Sequence, residues 1–489
     1  MRLTILGGGG FRVPLVYHAL LGDHGPGRIT EVTLYDTDST RLSSIAAVLG
    51  QQAAAVEGGW ATTAPGSSAT TSGSTAPGSS ASTPGFIAPG VSASELPPLP
   101  PPVVTATTDL DEAIRGADFI FSAIRVGGLE GRTVDERVAL DLGVLGQETV
   151  GAGGIAYGLR TIPVATAIAQ RIAAIAPEAW VINFTNPAGM VTEAMIPYLG
   201  DRVIGICDSP SGLGRRAALA LGVDPATAFY DYAGLNHLGW LRGLRSGGVD
   251  RLPELLTSTE ELTSFEEGRL FGVDWLRSLG SIPNEYLHYY YFARETLAAV
   301  QAVRQTRGTF LLEQQSAFYA ETAQHPDQAL ELWQKTRAER ESTYMVESRE
   351  VADAGERDER DMAAGGYEQV ALSLMRAIAH NERASLILNV RNRGILHHLD
   401  DDAVVEIPCT VDANGALPIA VSQLTDHQAG LVTAVKAVER STIEAATTAS
   451  RSAALRAFAW HPLIDSVTAA GQLLDAYTTH LPDLTYLRP

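Results

Sequence analysis

The chain is poor in cysteine: Cys207 and Cys409 are the only two in 489 residues. That excludes a disulfide framework and agrees with a reducing compartment. Positive charge is also scarce, with 36 Lys and Arg against 56 Asp and Glu and a formal charge of −20. A nucleic-acid partner needs a basic footprint for its phosphates, so that class of function is excluded. The same field opposes long-range steering of anionic small molecules, and such a ligand has to be held by local arginines. Long apolar runs are missing too. Nothing approaches the roughly 18 residues of a membrane helix, and no membrane association is expected. Met1-Arg2 leads straight into Leu3-Thr4-Ile5-Leu6, without the regions of a secretory leader, so a cytoplasmic location is the expectation. Internal repeats are absent. The rest of the composition, 45% hydrophobic and 19% charged, suits a globular protein of two or more domains.

The first part alternates short apolar runs with helix-length segments. Leu3–Leu6 reads as a buried strand, followed by Gly7-Gly8-Gly9-Gly10 and an apolar helical stretch through Leu21. Val32–Tyr35 is a second strand ending at Asp36, and Val103–Ala106 a third. Further strand-like runs are Phe119–Ile124, Trp180–Phe184 and Val203–Ile206. This pattern predicts βαβ units in a doubly wound parallel sheet, a Rossmann-like α/β fold over residues 1–208. Between residues 58 and 102 the composition turns to Ser, Thr, Ala, Gly and Pro, which reads as a disordered insertion. Residues 209–489 form the second expected domain, mixed α+β. After Asp208 the pattern suggests long helical segments, then a solvated charged face from Ala338 to Asp361, strands between Ala384 and Ile419, and helices from Leu424 to Tyr477.

Glycines directly after a strand let a backbone approach a pyrophosphate, and the following helix N-terminus supplies N–H groups. Gly7, Gly8, Gly9 and Gly10 are therefore the candidate dinucleotide loop. Asp36 is placed to accept the ribose hydroxyls, and its charge favours NAD over NADP. Arg12 stands at the third glycine position of the usual motif.

Four segments crowd small and polar residues at or near strand ends. The first is Ile124-Arg125-Val126-Gly127-Gly128, continuing to Gly146-Gln147-Glu148-Thr149; the second is Asn183-Phe184-Thr185-Asn186-Pro187. The third is Cys207-Asp208 and the fourth Gly234-Leu235-Asn236-His237. In this order they resemble the family-4 glycoside hydrolases, NAD- and divalent-metal-dependent glycosidases acting on 6-phosphoglycosides, and most closely the 6-phospho-β-glucosidases. The likeness runs from the glycine loop to about Asn392 without the insertion, and implies a lactate/malate dehydrogenase-like C-terminal domain. It makes Cys207 and His237 the protein ligands of Mn²⁺ or another divalent metal, the rest being substrate oxygens and water. By residue type alone they also read as core residues, and the pair would suit zinc. Tyr286 matches the catalytic base, within a run that also holds Tyr289, Tyr290 and Tyr291, with Tyr289 the second choice. Arg125 and Asn186 match substrate contacts, Glu148 a carboxylate near the sugar, and Arg307 a phosphate contact. Asp208 is the candidate proton donor, with a helix N-cap as its other reading. Cys409 is taken as structural.

Ordinary glycosidases need two carboxylates and no nicotinamide; family 4 is a recognised exception. The resemblance implies elimination: hydride passes from C3 to NAD, Tyr286 removes the acidified C2 proton, the aglycone leaves, water adds and the hydride returns. The expected enzyme is a homo-oligomer, dimer or tetramer, acting on a small phosphorylated glycoside. Asp208 is familiar from α-type members, which keeps a 6-phospho-α-glucosidase open. Two other classes share the fold: a lactate/malate-type 2-hydroxy acid dehydrogenase and a non-catalytic NAD-binding regulator.

Overall fold

The computed structural model describes residues 1–57, 99–303, 305–355 and 366–488. Most of the expected insertion (58–98) and the end of the charged stretch (356–361) lie outside the described residues. Six parallel strands form the N-terminal part of one sheet: β1 (Arg2–Leu6), β2 (Glu31–Tyr35), β3 (Val103–Thr107), β4 (Phe119–Ser122), β5 (Trp180–Asn183) and β6 (Val203–Gly205). Their spatial order is β3-β2-β1-β4-β5-β6, the doubly wound order with its switch point beside β1. The apolar runs form strands because both faces are covered: Leu3, Ile5, Leu6, Val32, Leu34 and Ile120 are fully buried. Gly7 follows β1 with φ of 79°, and a Cβ there would lie 2.6 Å from the Ala123 carbonyl oxygen. Only glycine takes both the left-handed backbone and the close approach.

The sheet does not stop at β6. β7 (Phe229–Leu235), β8 (Leu238–Ser246), β9 (Val249–Asp250), β10 (Ile282–Pro283), β11 (Ala384–Arg391), β12 (Val404–Asp412) and β13 (Gly415–Pro418) extend it by antiparallel pairing. The order continues from β6 through β11, β12, β7 and β8 to β10. A single row of paired residues crosses the junction: Gly205 with Asn389, Asn389 with Glu406, Glu406 with Gly234.

The helical segments expected after Asp208 are present, among them Ser209–Ala220 and Arg307–Gln324, but the β7–β8 hairpin, which was not expected, stands between these two. Its strands pair through Leu235 and Leu238, leaving Asn236-His237 as a two-residue turn with His237 at φ of 62°. Tyr232, Leu235, Leu238, Trp240 and Leu241 are buried, and this bulk on either side of an Asn-led turn is hairpin patterning rather than helical period.

A second apolar cluster lies under the C-terminal helices Asp426–Thr448, Arg451–Trp460 and Val467–His480, packed on Gly128–Asp141 and Gly151–Ile175. Small side chains such as Ala152, Ala156, Ala445, Ala453 and Ala457 allow close helix contact there. Among the described residues no helix is long and apolar enough to cross a membrane.

Candidate active site

The glycine loop joins β1 to the Val13–Leu21 helix, where Pro14 stands in the first turn and needs no hydrogen-bond partner. Gly8 and Gly9 pack back onto Leu34 and Arg41, whereas Gly7 and Gly10 open on a large cleft. Asp36 lies against the loop: its Oδ2 accepts the Gly9 N–H at 3.0 Å and its Oδ1 the Asp38 N–H at 3.2 Å. Three aromatic donors from later helices fix the loop's carbonyls. Tyr319 Oη donates to Gly9 O at 2.7 Å, Trp333 Nε1 to Phe11 O at 2.8 Å and Tyr367 Oη to Arg12 O at 2.7 Å. Arg12, the departure from the glycine motif, lies 5.5 and 5.2 Å from the rings of Phe184 and Tyr367, which stack at 4.0 Å.

The cleft has a volume of about 1320 Å³ and runs along the carboxyl ends of the parallel strands. Arg125, Glu148, Asn186, Cys207, Asp208, His237, Tyr286 and Arg307 all line it. These residues span some 180 positions of sequence; the ends of parallel strands carry Arg125, Asn186, Cys207 and Asp208, while Glu148 comes from a loop between helices and Arg307 from the start of one. Asp36 stands behind the glycine loop, and Cys409 lies in β12 with its thiol on the Ile407 carbonyl, away from the cleft.

His237 stacks on Tyr286 with ring centroids 3.6 Å apart and planes within 6°. Its Nδ1 lies 2.9 Å from Thr149 Oγ1, and that hydroxyl donates to Gln147 Oε1 at 3.1 Å. Thr149 is then the acceptor, Nδ1 carries the ring proton and Nε2 keeps a free lone pair. Burial lowers His237 to about 3, so the ring is neutral. Burial, with the carboxylates of Glu406 and Asp208, pushes the Cys207 thiol well up against one backbone donor, Ser209. Such a thiol becomes a thiolate only beside a cation. Among the described residues no group of three or more His, Cys, Asp or Glu could hold a metal. One thiol and one imidazole lone pair instead suit an open site completed by substrate and water.

Tyr286 is half-buried, and its Oη lies 3.2 Å from Tyr344 Oη. Burial, then Tyr344 and Glu285, push it well above the ordinary phenol. Tyr289 is turned to Ser348 and is pushed up by burial and Glu347. Asp208 occupies the N-cap position of the Ser209–Ala220 helix, yet its side chain makes no cap hydrogen bond and faces the cleft.

Next to Thr149, Glu148 pairs with Arg125 at 3.0 Å and Arg132 at 2.6 Å. Burial alone would raise it, but the two guanidiniums hold it at about 2. Glu148 is a permanent carboxylate, unsuited to give a proton near neutrality. Arg132 also pairs with Glu136 at 2.8 Å, and Glu136 accepts the Gly308 N–H at 2.7 Å. This seats the Arg307–Gln324 helix, and Arg307 donates to Thr343 Oγ1 at 2.5 Å and Arg340 O at 2.7 Å.

Sequence reasoning missed Arg340 by reading Ala338–Asp361 as a solvated face. The structure corrects this for the described part: Arg340, Tyr344, Met345 and Glu347 line the cleft. Burial, with Arg12, Arg307 and Arg132, lowers Arg340 far below its usual value, and only Glu148 opposes them. Its helix, Ala329–Ser342, lines the cleft through Trp333, Arg337 and Arg340, so an exposed-looking charge pattern there hides an inward cation. Thr149 and Gln147 were read only as part of a motif, and Glu406 was not singled out at all.

Family profiles match this arrangement in two blocks. The one described as family 4 glycosyl hydrolase covers residues 100–223, and the family 4 glycosyl hydrolase C-terminal domain covers 232–464. The chain belongs to family 4 of the glycosyl hydrolases. Among family members, a probable 6-phospho-beta-glucosidase of Bacillus subtilis is 34% identical over 387 residues, 77% of this chain and 82% of its own length. A 6-phospho-alpha-glucosidase 1 of Lacticaseibacillus paracasei is 30% identical over 392 residues, 76% of this chain and 81% of its own. Of solved structures, a Thermotoga maritima 6-phospho-beta glucosidase with manganese, NAD⁺ and glucose-6-phosphate superposes with a TM-score of 0.74 at 25% identity, covering 100% of both chains.

Proposed function

We propose that this chain is a cytoplasmic family 4 6-phospho-β-glucosidase that uses NAD and a divalent cation. The convergence of a neutral His237, Cys207 and Tyr286 on one cleft with the glycine loop carries the reading. When bound, NAD supplies reversible oxidation at the sugar's C3 and the cation supplies Lewis acidity toward the sugar oxygens. Gly7 and Gly10 would face the dinucleotide, with Asp36 on its adenosine ribose; Cys207 and His237 would hold the cation. Tyr286, packed on the His237 ring, takes the C2 proton. Asp208, uncommitted to its helix, returns a proton to the departing oxygen. Arg125 and Asn186 orient the sugar, and Glu148 fixes Arg125 and Arg132 rather than titrating.

The phosphate falls to Arg307 and Arg340. Arg307 is already engaged with Thr343 and the Arg340 carbonyl, whereas the Arg340 guanidinium faces the cleft among other cations, an arrangement that calls for an anion. A charged hydrogen bond is worth about 1.5–3 kcal/mol, or roughly ten- to a hundred-fold. Arg340→Met is expected to raise KM for the 6-phosphoglucoside by that factor and to leave the unphosphorylated glucoside unaffected, read by steady-state kinetics.

Cleavage of 4-nitrophenyl 6-phospho-β-glucoside is the direct test, with the α-anomer beside it because Asp208 is present. Release of nitrophenol is expected only with both NAD⁺ and Mn²⁺, and without accumulation of NADH. Turnover unchanged in chelator and without nicotinamide would sink the reading; steady NADH formation from a 2-hydroxy acid would favour a dehydrogenase.

A further inference from the structure

Cys207 and His237 belong to parts of the sheet that are not neighbours. β6 ends at Gly205, two residues before Cys207, and β7 passes through Gly234 toward the His237 turn, with β11 and β12 between them. The Gly205–Asn389–Glu406–Gly234 row is what joins them. Its outer members have to be glycine. A Cβ at Gly205 would lie 2.8 Å from Asn389 Cβ, and one at Gly234 would run into the Leu238 carbonyl. The two side chains in the row, Asn389 and Glu406, are fully buried.

Three donors converge on Glu406. Its Oε1 accepts from Asn389 Nδ2 at 2.9 Å and from Asn236 Nδ2 at 3.1 Å, and its Oε2 from Tyr232 Oη at 3.2 Å. Burial pushes Glu406 up to about 7, against which the three hydrogen bonds favour the ionised form; a carboxylate has acceptor capacity only, so this donor set matches it. Among the described residues no Lys, Arg or His forms an ion pair with Glu406. Buried charge of one sign calls for a counter-charge, and the row places Glu406 two strands from Gly205, which precedes Cys207 by two residues. Asn236 immediately precedes His237 in the turn.

We propose that Glu406 is a positioning residue for the cation site, fixing the His237 turn through Asn236, tying it through Asn389 to the strand leading to Cys207, and supplying negative charge to a bound divalent cation. The proposal rests on the reading that Cys207 and His237 hold the cation. Partners one step removed from a metal typically govern ten- to a hundred-fold in its affinity. Glutamine at 406 would keep the shape, lose the charge and turn an amide N–H₂ toward one of the donors.

The test titrates Mn²⁺ into the full chain and reads free aqueous Mn²⁺ by electron paramagnetic resonance, independently of activity. Glu406→Gln is expected to raise Kd for Mn²⁺ by about ten- to a hundred-fold, with Kd for NAD⁺ unchanged within about two-fold. A residue that served packing alone would lower thermal stability and leave Kd for Mn²⁺ alone. Asn236→Ala keeps the charge and cuts the tie to the turn; a several-fold rise is expected there, and it carries the test if Glu406→Gln does not fold. An unchanged Kd for Mn²⁺ in either folded variant overturns the proposal. Cys207→Ser separates the two ideas: wild-type Mn²⁺ affinity in that variant defeats the underlying cation reading instead.

Discussion

Cys207→Ser is expected to leave a folded, NAD-binding protein whose turnover of the 6-phosphoglucoside falls on the order of 10³-fold. Lewis-acid stabilisation is worth several kcal/mol, and each 1.36 kcal/mol is about a decade of rate. The fold should tolerate the change, because burial and the Glu406 and Asp208 carboxylates already favour a neutral group at this position. What serine loses is the capacity to become a soft anion when a cation arrives. The same chemistry sets a pH trend. Holding the cation as a thiolate site releases the Cys207 proton, so apparent affinity for Mn²⁺ falls as pH is lowered. The His237 ring adds little to that trend: lowered by burial to about 3, it is neutral throughout the working range. Initial rates across a Mn²⁺ series at two pH values measure both effects. A serine variant within ten-fold of wild type at saturating Mn²⁺ would remove Cys207 from the site.

How much of this was legible in advance follows from the range of the interactions. β1, the glycine loop and Asp36 are local features, since an apolar run, a turn and a strand-end carboxylate lie within 35 residues. Cys207, Asp208 and His237 were legible as runs of unusual residues. Glu406 was not, because it sits inside Val404-Val405-Glu406-Ile407, which reads as an ordinary strand until Asn389, Asn236 and Tyr232 close around it. Its partners lie 17, 170 and 174 residues away. Arg340 failed for a different reason. Charge alternation along Ala338–Ser342 is what a solvated helix shows, and the inward direction of one side chain is set by the cleft beneath. The hairpin turn was seen as chemistry before it was seen as structure: the backbone that holds His237 at positive φ is also what turns β7 into β8.

Tyr286→Phe is expected to lower kcat by about 10²- to 10⁴-fold, the range for losing a general base, with little change in KM. Phenylalanine keeps the ring that stacks on His237 at 3.6 Å, so the loss isolates the hydroxyl from the packing. Burial, Tyr344 and Glu285 hold the Tyr286 phenol well above its ordinary value of about 10 in the protein alone. Depression toward neutrality therefore has to come from the positive charges of the bound cation and nicotinamide, with Arg132 close enough to contribute in the same sense. Two consequences separate this residue from a structural tyrosine. The base works deprotonated, so kcat in the wild type rises with pH through the tyrosine's pKa in the complex, and that rise flattens in the phenylalanine variant. Exchange of the C2 proton with deuterated solvent should also disappear. Tyr289→Phe is the control: its hydroxyl is turned to Ser348, and a change within about three-fold is expected. If Tyr289→Phe abolishes C2 exchange while Tyr286→Phe preserves it, proton abstraction belongs to Tyr289, and the stack on His237 serves only to hold the imidazole ring flat against the cleft wall.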